Sequence, residues 1–406
     1  MKIRLSYTNY INFLVLLFFI AIVFKRTAMD AVFLTVSFTG IYFSIRYRKL
    51  PFQIKELQLL TALFWGYFVA VVAAVVSHPS SAEVVGFLTR ELYFILAPFS
   101  AMALIRSEIN LNWLALGSKL GLLMIGGIVI FEYFLGISRP SGFLNANMFA
   151  NLAILLFFIV VVIGLAERRK GLIVLTVISL LFGGIAIIYT GGRSAWIAFV
   201  LLFFVVIFLQ FKQHYLLKRK VVLLAMAVLF IVATLGSFNN TLKQRTSLAF
   251  NNVVEWINGD LTMSSAGQRL EMIRIGVIEA PNVPFFGNGY RNINQSIITE
   301  KYDQEVHNRI RTYTQLHNAY LTNFVGGGYP LLMALLLNLF IPFMLFKKSL
   351  LDNKNQLYAS IGVVVSVGFM IFGLFNNLFG DVFMNAAYTF IMAIFLPGVS
   401  KLKYDR

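Results

Sequence analysis

Apolar residues occur along this chain in stretches about as long as the apolar core of a bilayer is thick, and the stretches recur almost from end to end. Because stretches of roughly 17–25 apolar residues form transmembrane helices, the pattern predicts an all-α fold, a polytopic membrane protein of about twelve transmembrane helices. The predicted spans are residues 10–24, 27–45, 57–77, 84–105, 113–135, 147–166, 171–189, 195–211, 221–236, 317–346, 357–376 and 382–399.

The composition supports a membrane location. The chain is 59% hydrophobic and 13% charged, which lies far outside the range of soluble globular proteins. The first apolar stretch is expected to remain as a helix rather than to be cleaved as a signal peptide. After Phe24 the sequence continues with Lys25 and Arg26 and then with a second apolar stretch, without a small-residue cleavage site.

Lysine and arginine are distributed unevenly over the predicted connections. Twenty of the 34 lie in the even-numbered connections or near the chain ends, against four in the short odd-numbered connections, at Lys25, Arg26, Arg139 and Arg193. Because positive segments are retained in the cytoplasm, both termini are predicted to be cytoplasmic. The net charge of +17 then reflects topology and attraction to anionic membrane lipids, and nucleic-acid binding is not expected.

The sequence offers little for metal or thiol chemistry. It contains no cysteine, which excludes disulfides, thiol catalysis and cysteine-ligated metals. The four histidines, at positions 78, 214, 307 and 317, lack the spacing of a zinc pair, and no carboxylate cluster suggests a tight cation site. We therefore expect neither a metal site nor a cofactor.

One predicted connection is much longer than the others. It divides the chain into residues 1–236 with nine spans, a large loop at 237–316, and residues 317–406 with three spans. The charge distribution places the loop outside, and long loops of this kind usually carry function.

Within the large loop, residues 267–280 are predicted to form an amphipathic helix. Ser264 and Ser265 supply a cap, and Pro281 ends the helix. The helix is expected either to pack on the membrane spans or to lie in the membrane interface. Its apolar positions at helical spacing are Leu270, Ile273, Val277 and Ile278.

The sequence YTGGRSAW (189–196) forms the first candidate site. It lies where the seventh span ends outside and the eighth begins, so the amino end of the eighth helix faces outward. Free backbone N–H groups, the helix dipole, glycines such as Gly192 that permit close approach, and the guanidinium of Arg193 together suit an anion such as phosphate. The alternative is that Arg193 anchors the helix end to lipid headgroups.

A second outward-facing helix start carries a histidine. The tenth predicted span begins with QLHNAY (315–320), which contains His317 and Asn318. Histidine can exchange protons near neutral pH, so His317 is a candidate acid or base and Asn318 a candidate substrate contact. The alternative is a structural hydrogen-bonding role for the histidine.

For each of several further charged residues near the outer surface, the sequence allows two predicted roles. Arg90 either adds positive charge to a phosphate pocket or pairs with another helix. Asp381 either caps the twelfth helix or binds the acceptor. Arg291, Arg309 and Arg311 in the large loop either contact phosphate or sugar or are solvated charges, and Arg291 is the one we include among the candidate contacts.

Four short motifs follow one another along the chain: GFLNANMFAN (142–151), TGGRSAWIAF (190–199), PFFGNGY (284–290) and LHNAYLTNFVGGGYPLLMALL (316–336). Individually they are short, but together with twelve spans and one large outer loop they cover most of the chain. In this order they make the chain resemble the O-antigen ligase and polymerase superfamily of bacterial inner-membrane glycosyltransferases.

The resemblance implies a GT-C-like, metal-independent, inverting enzyme that transfers glycan from undecaprenyl pyrophosphate to a hydroxyl of an acceptor sugar in the periplasm. It carries over three residues: Arg193, Arg269 in the stretch SAGQRL, and His317. By resemblance, the two arginines hold the pyrophosphate and the histidine acts at the acceptor hydroxyl. This agrees with the anion-binding character of the two helix ends.

The acceptor distinguishes the two kinds of enzyme in this superfamily. A ligase transfers to lipid A-core oligosaccharide, and a polymerase transfers to another carrier-linked repeat unit. The loop length and the HNAYL helix start favour the ligase, in the inner membrane of a Gram-negative bacterium, although GFLNAN occurs with polymerases too. A glycan transporter or flippase is the alternative from another class, but the polar landmarks gather at the outer surface rather than at mid-membrane.

Overall fold

The structure is a computed structural model that describes residues 6–78, 84–107, 109–213, 247, 251–259, 264–290, 293–299, 302, 305–351 and 356–401. Within these ranges the regular structure is helical and no strand occurs. The all-α prediction is confirmed for this part of the chain. The ninth predicted span, 221–236, and the predicted boundary at residue 236 lie outside the described residues.

The helices follow the predicted apolar stretches closely. A further helical stretch covers residues 251–257. The labelled helices are α1 (Tyr7–Phe24), α2 (Arg26–Tyr47), α3 (Gln58–Ser77), α4 (Val84–Ile105), α5 (Leu111–Phe134), α6 (Ala146–Ala166), α7 (Lys170–Tyr189), α8 (Arg193–Gln213), α9 (Ser265–Glu279), α10 (Ile293–Ile297), α11 (Glu305–Arg311), α12 (Ala319–Ser349), α13 (Gln356–Gly373) and α14 (Val382–Lys401).

Eight of the described helices are long and apolar enough to cross a membrane, namely α1, α2, α3, α5, α6, α7, α12 and α13. The apolar parts of α8 and α14, Arg193–Leu209 and Val382–Gly398, are shorter. The chain is therefore a multi-pass membrane protein, and the number of twelve spans stays a prediction.

Helix α6 lies at the centre of the bundle. In its most apolar window 89% of the residues are buried, and it packs against α5, α7, α8 and α13. Between Met148 and Ile163 it contains a single polar residue, Asn151, and a helix that is apolar on all sides is stable only when surrounded by other helices. The burial of α6 thus fixes where its amino end, and with it the start of α8, lies.

The segment between α8 and α12 has an apolar cluster of its own. The cluster combines residues of helices α9, α10 and α11, residues of the connections that follow these helices, and Val325 of α12, so the segment packs directly on the first part of α12. Its buried members are Met272, Ile275, Val283, Ile293, Ile297, Ile298, Tyr302, Val306, Ile310, Leu316 and Val325.

The predicted amphipathic helix is confirmed as α9, with Ser264 as its cap and Pro281 just beyond its end. The two alternatives for its apolar stripe stay predictions. Val277 and Ile278 are 56% and 45% exposed, and the buried face combines Met272 and Ile275 with polar side chains and glycines. Polar residues occupy this inner face because partners elsewhere in the segment satisfy their polar groups.

Helix α12 contains a break that the PFFGNGY motif fills. Gly328 has φ +67°, in the left-handed region, and an added Cβ would lie 1.9 Å from the carbonyl oxygen of Phe285. Across this break the backbone N–H of Asn288 donates to the oxygen of Val325 at 2.8 Å, and that of Tyr329 donates to the oxygen of Phe285 at 3.0 Å. The third and fourth sequence motifs are therefore joined through backbone hydrogen bonds that only glycine permits.

Candidate active site

The first and second sequence motifs meet at the amino ends of α6 and α8. Gly192 is buried, and a Cβ added to it would lie 3.6 Å from the Cβ of Ala150 and 3.7 Å from Oδ1 of Asn147. Two helix starts therefore lie side by side, and the first-turn N–H groups of a helix have no intrahelical acceptor. Their combined dipoles favour an anion at this position.

Arg193 is the first residue of α8 and is half-buried. Gly191 before it has φ +64°, a conformation that lets the chain turn sharply from α7 into α8. The carbonyl of Gly192 accepts the N–H of Trp196 at 3.2 Å, and the Trp196 indole N–H donates to the oxygen of Ile187 at 3.0 Å. These bonds fix the position from which the Arg193 side chain extends.

A second arginine, Arg139, lies in the loop between α5 and α6. The carboxylate of Glu132 fixes this loop, because its Oε2 accepts the backbone N–H groups of Ser141 at 2.6 Å and Gly142 at 3.0 Å. The guanidinium of Arg139 donates to Oδ1 of Asn147 at 3.3 Å. This is the same amide oxygen that lies beside the start of α8.

Arg269 belongs to the first turn and a half of α9, whose cap is Ser264: the serine hydroxyl accepts the N–H of Gly267 at 3.0 Å. Burial and the positive charges of Arg139 and Arg193 lower the pKa of Arg269. Among the described residues no carboxylate lies within salt-bridge distance of Arg269. Arg139 of the α5–α6 loop and Arg193 of α8 therefore lie within electrostatic range of Arg269 of α9.

His317 has a backbone conformation that is unusual for a residue with a side chain. Its φ is +51°, in the left-handed region, which costs such a residue about 1–2 kcal/mol. The turn before it is held by Asn294, whose amide donates to the carbonyl oxygens of Tyr313 at 2.8 Å and Gln315 at 3.1 Å. Buried Leu316 anchors the other side of the turn. Strain of this kind occurs at functional sites, where the surrounding structure maintains it.

The imidazole of His317 lies within electrostatic range of Arg269. Burial and the Arg269 guanidinium lower the pKa of His317 to about 4. The ring of Tyr313 meets the imidazole edge to face, with centroids 5.9 Å apart, and the Tyr313 hydroxyl donates to Oε1 of Gln268 at 3.1 Å. At neutral pH the imidazole is therefore uncharged, the form that can accept a proton.

A buried carboxylate holds α9 in place. Glu271 accepts hydrogen bonds from both Nε and Nη2 of Arg274, at 2.8 and 2.6 Å, and from the indole of Trp256 at 3.2 Å. Nε2 of buried His307 lies 2.9 Å from Oε1 of Glu271, the oxygen that also accepts from Nη2 of Arg274. These hydrogen bonds outweigh the opposing effect of burial and lower the pKa of Glu271 to about 2. The network connects α9 to α11 and to the helical stretch 251–257, and so holds the helix that carries Arg269.

Asn318 acts as the cap of α12. Its Oδ1 accepts the N–H of Leu321 at 2.9 Å, and its amide donates to the carbonyl oxygen of Leu374 at 3.1 Å. The side chain thus links the His317 turn to the end of α13. Its predicted contact with substrate stays a prediction.

Asp381 caps α14, which is the structural alternative predicted for it. Its Oδ1 accepts the N–H groups of Phe383 at 3.0 Å and Met384 at 3.1 Å. Burial raises the pKa of Asp381, while these bonds and the charge of Arg90 oppose the rise. Arg90 itself donates to the carbonyl oxygen of Gly380 at 3.4 Å. The structure thus joins Arg90 to the turn before α14, and binding of substrate by either residue stays a prediction.

Arg291 lies outside the described residues, so its predicted role has no structural account. Within the ranges that the structure describes, no group of three or more histidine, aspartate or glutamate side chains is arranged to hold a metal ion. The chemistry available at the site is that of arginine, histidine, tyrosine and backbone N–H groups.

Comparison with known proteins identifies the family. Residues 175–336 match the model of a family described as O-antigen ligase. The match begins within α7, ends within α12, and includes Arg193, Arg269 and His317. This part of the chain is similar to the O-antigen ligase family. The match confirms the resemblance that the four motifs predicted.

A similar protein occurs in Haemophilus influenzae. It is described as an uncharacterized protein and is 26% identical over 362 residues, which cover 84% of this chain and 85% of the relative. The similarity therefore extends well beyond the matched family segment.

Two residues of the site were not predicted from the sequence. Arg139 was counted only as one of four outside charges, since the sequence does not show that the loop brings it beside Asn147 and Arg269. Tyr313 belongs to none of the sequence motifs described above. Its position is decided by the fold of the segment between α8 and α12.

Proposed function

We propose that the protein is an O-antigen ligase. It transfers a polysaccharide from undecaprenyl pyrophosphate to a hydroxyl of lipid A-core oligosaccharide at the periplasmic face of the inner membrane. The transfer needs no metal and inverts the anomeric configuration. The family match supports the general class of reaction, and the arrangement of side chains supports the individual steps.

One observation carries the proposal: the charges of Arg139 and Arg193 act on Arg269, and the charge of Arg269 acts on His317. A cationic site therefore adjoins an uncharged imidazole. A lipid-linked glycan donor presents the matching chemistry, since its pyrophosphate carries the negative charge and the reacting anomeric carbon is bonded directly to it. Fixed cationic groups aimed at developing negative charge are among the strongest contributions to catalysis.

The proposed reaction is a single displacement. The oxygen of the acceptor hydroxyl forms a bond to the anomeric carbon while the bond from that carbon to the pyrophosphate oxygen breaks. A ring nitrogen of His317 takes the hydroxyl proton. The bonding electron pair leaves with undecaprenyl pyrophosphate, whose charge Arg193 and Arg269 stabilise. Attack from the face opposite the leaving group inverts the configuration.

The bound donor changes the basicity of His317. In the free protein Arg269 helps to hold the pKa of His317 at about 4. A pyrophosphate between the arginines and the imidazole offsets that positive charge, so the imidazole becomes a stronger base when the donor is present. Binding of the donor thus makes His317 a better proton acceptor.

The experiment is reconstituted transfer with purified protein, a carrier-linked glycan and one of two acceptors, deep-rough core lipid or a second carrier-linked unit. His317→Ala, Arg193→Gln and Arg269→Gln are compared with Arg309→Gln, which replaces an exposed arginine of α11. We expect transfer to core lipid to fall by a factor on the order of 100 or more in the first three variants, and to remain at the wild-type rate in Arg309→Gln.

The products distinguish the functions. Product on core lipid supports the ligase, whereas lengthened carrier-linked glycan identifies a polymerase and overturns the choice of acceptor. Full activity of folded His317→Ala overturns the proposed mechanism. If neither product forms and the glycan instead crosses vesicle membranes, the protein is a transporter and the proposed function is wrong.

A further inference from the structure

Arg139 is assigned no contact with the substrate in the reaction proposed above, and it lies ahead of the family segment, which begins at residue 175. Its side chain is exposed. An exposed arginine on a loop is most simply a solvated charge. Three features of its surroundings indicate otherwise.

The first feature is that the loop is held rigidly. The chain leaves α5 through a turn in which the backbone N–H of Ile137 donates to the carbonyl oxygen of Glu132 at 3.0 Å. The Glu132 carboxylate then accepts two further N–H groups, those of Ser141 and Gly142. Both arms of the loop are therefore tied to one residue of α5. Arg139 lies between them, so little backbone conformational entropy is lost when its side chain binds a ligand.

The second feature is the direction of the side chain. Arg139 donates to the amide oxygen of Asn147, in the first turn of α6, and this oxygen lies 3.7 Å from the position of a Cβ on Gly192. The guanidinium is thus directed to the place where the amino ends of α6 and α8 meet. Of the charges that act on Arg269, Arg139 has a larger effect than Arg193.

The third feature is the apolar surface on either side. Phe134 and Leu135, before Arg139, are 82% and 62% exposed, and Phe143, after it, is 74% exposed. Large apolar side chains that are exposed at the end of a membrane helix lie in the headgroup and acyl boundary. Arg139 therefore sits at the lipid-facing edge of the cationic site, where a lipid-linked substrate arrives from the bilayer.

We infer that Arg139 is a third phosphate-binding arginine, which contacts the pyrophosphate of the polyprenyl donor at the lipid-facing edge of the site. The inference rests on the function proposed above. Three like charges repel one another in the free protein and are stabilised together by a ligand of high negative charge density. A pyrophosphate has enough charge and enough oxygen atoms to engage more than one guanidinium, whereas a monophosphate offers fewer acceptors.

The test compares two lipids and four variants in lipid nanodiscs. Undecaprenyl pyrophosphate and undecaprenyl monophosphate are titrated against wild-type protein, Arg139→Gln, Arg139→Lys and Asn147→Ala, with Arg309→Gln as the matched control. Thermal stabilisation by the ligand gives an apparent Kd. Donor KM and kcat are measured in the transfer assay with the same preparations.

We expect Arg139→Gln to raise the Kd for the pyrophosphate lipid about tenfold, the effect of losing one charge-assisted hydrogen bond. The Kd for the monophosphate lipid is expected to rise less. Donor KM should rise more than kcat falls, because Arg139 binds the donor at the entrance. Arg139→Lys keeps the charge and is expected to restore part of the affinity, and Asn147→Ala is expected to weaken binding by releasing the guanidinium. Arg309→Gln should match wild type.

The outcomes separate this inference from the proposed function. Unchanged Kd and KM in Arg139→Gln, with binding and transfer by wild type, overturn the role of Arg139 and leave the function standing. Weakened pyrophosphate binding in Arg139→Gln without transfer by wild type supports the site and overturns the ligase. No binding of the pyrophosphate lipid by wild type overturns both. Since Arg139 is exposed, its variants are expected to fold, and their unfolding temperature without ligand checks this.

Discussion

The electrostatic effect of Arg269 on His317 makes a quantitative prediction that does not depend on the identity of the substrate. The ordinary pKa of histidine is 6.5, and in this protein burial and Arg269 lower that of His317 to about 4. Burial is the larger of the two causes. Replacement of Arg269 by glutamine removes the second cause only. The pKa of His317 should therefore rise by less than half of the difference between 4 and 6.5.

The direction of the linked stability change follows from the sign of the shift. Since the folded pKa lies below the ordinary value, the unfolded chain binds more protons between pH 6.5 and 4, and the protein loses stability as the pH falls through this range. In Arg269→Gln the folded pKa is closer to the ordinary one, so the contribution of His317 to this acid loss becomes smaller. The neutral form still predominates at pH 7 in both proteins.

The assay is NMR titration of protein labelled at the histidine rings, in detergent micelles. The sequence contains four histidines, and the spectrum of His317→Gln identifies the signal that belongs to His317. Arg193→Gln serves as a matched comparison, because Arg193 acts on Arg269 rather than directly on the imidazole. We expect a smaller rise for Arg193→Gln and none for Arg309→Gln. A wild-type pKa near 6.5, or no change in Arg269→Gln, would refute the proximity of the two residues.

Three further predictions concern the scaffold of the site. Gly328→Ala should destabilise the protein by roughly 2–5 kcal/mol, because the new side chain would be strained in the left-handed conformation and would overlap with the facing backbone. Gly66→Ala should not destabilise the protein, because nothing lies within 4 Å of the added Cβ. Thermal unfolding of the two variants compares them. Glu271→Ala should cost about 3 kcal/mol, since it removes the carboxylate that accepts from Arg274 and Trp256 and pairs with buried His307. Because the folded pKa of Glu271 is about 2, its contribution is present above pH 4.5 and is lost as the pH falls toward 2, which an unfolding series over pH detects. Asp381→Asn should keep the helix cap and Asp381→Ala should lose about 1 kcal/mol; equal stability of the two variants would contradict a capping role.

The membrane helices could be predicted from the sequence because the signal is local. Each apolar stretch, such as the one that becomes α6, is long enough to define a helix without knowledge of its neighbours. The helix starts that carry Arg193 and His317 could be predicted for the same reason, since they follow from where apolar stretches begin. Family motifs then supplied Arg269, whose surroundings in the sequence are otherwise those of an ordinary polar loop.

The face of α9 could not be predicted in the same way. Its spacing of Leu270, Ile273, Val277 and Ile278 describes an apolar stripe, but burial follows the network around Glu271. Residues far apart in the chain supply the partners that make a buried carboxylate favourable. The spacing of apolar residues shows which side chains share one face of a helix. Which face is buried depends on the residues that pack against the helix.

The sequence by itself determined that this is a multi-pass helical membrane protein with arginine and histidine at the starts of two helices, because hydrophobic length and helix boundaries are properties of contiguous residues. Only the tertiary structure decided that Arg139 joins Arg193 and Arg269, and that Arg269 acts on His317. Proximity and pKa shifts arise from burial and from charges on different helices. These quantities depend on distances through space, which the order of residues along the chain does not specify.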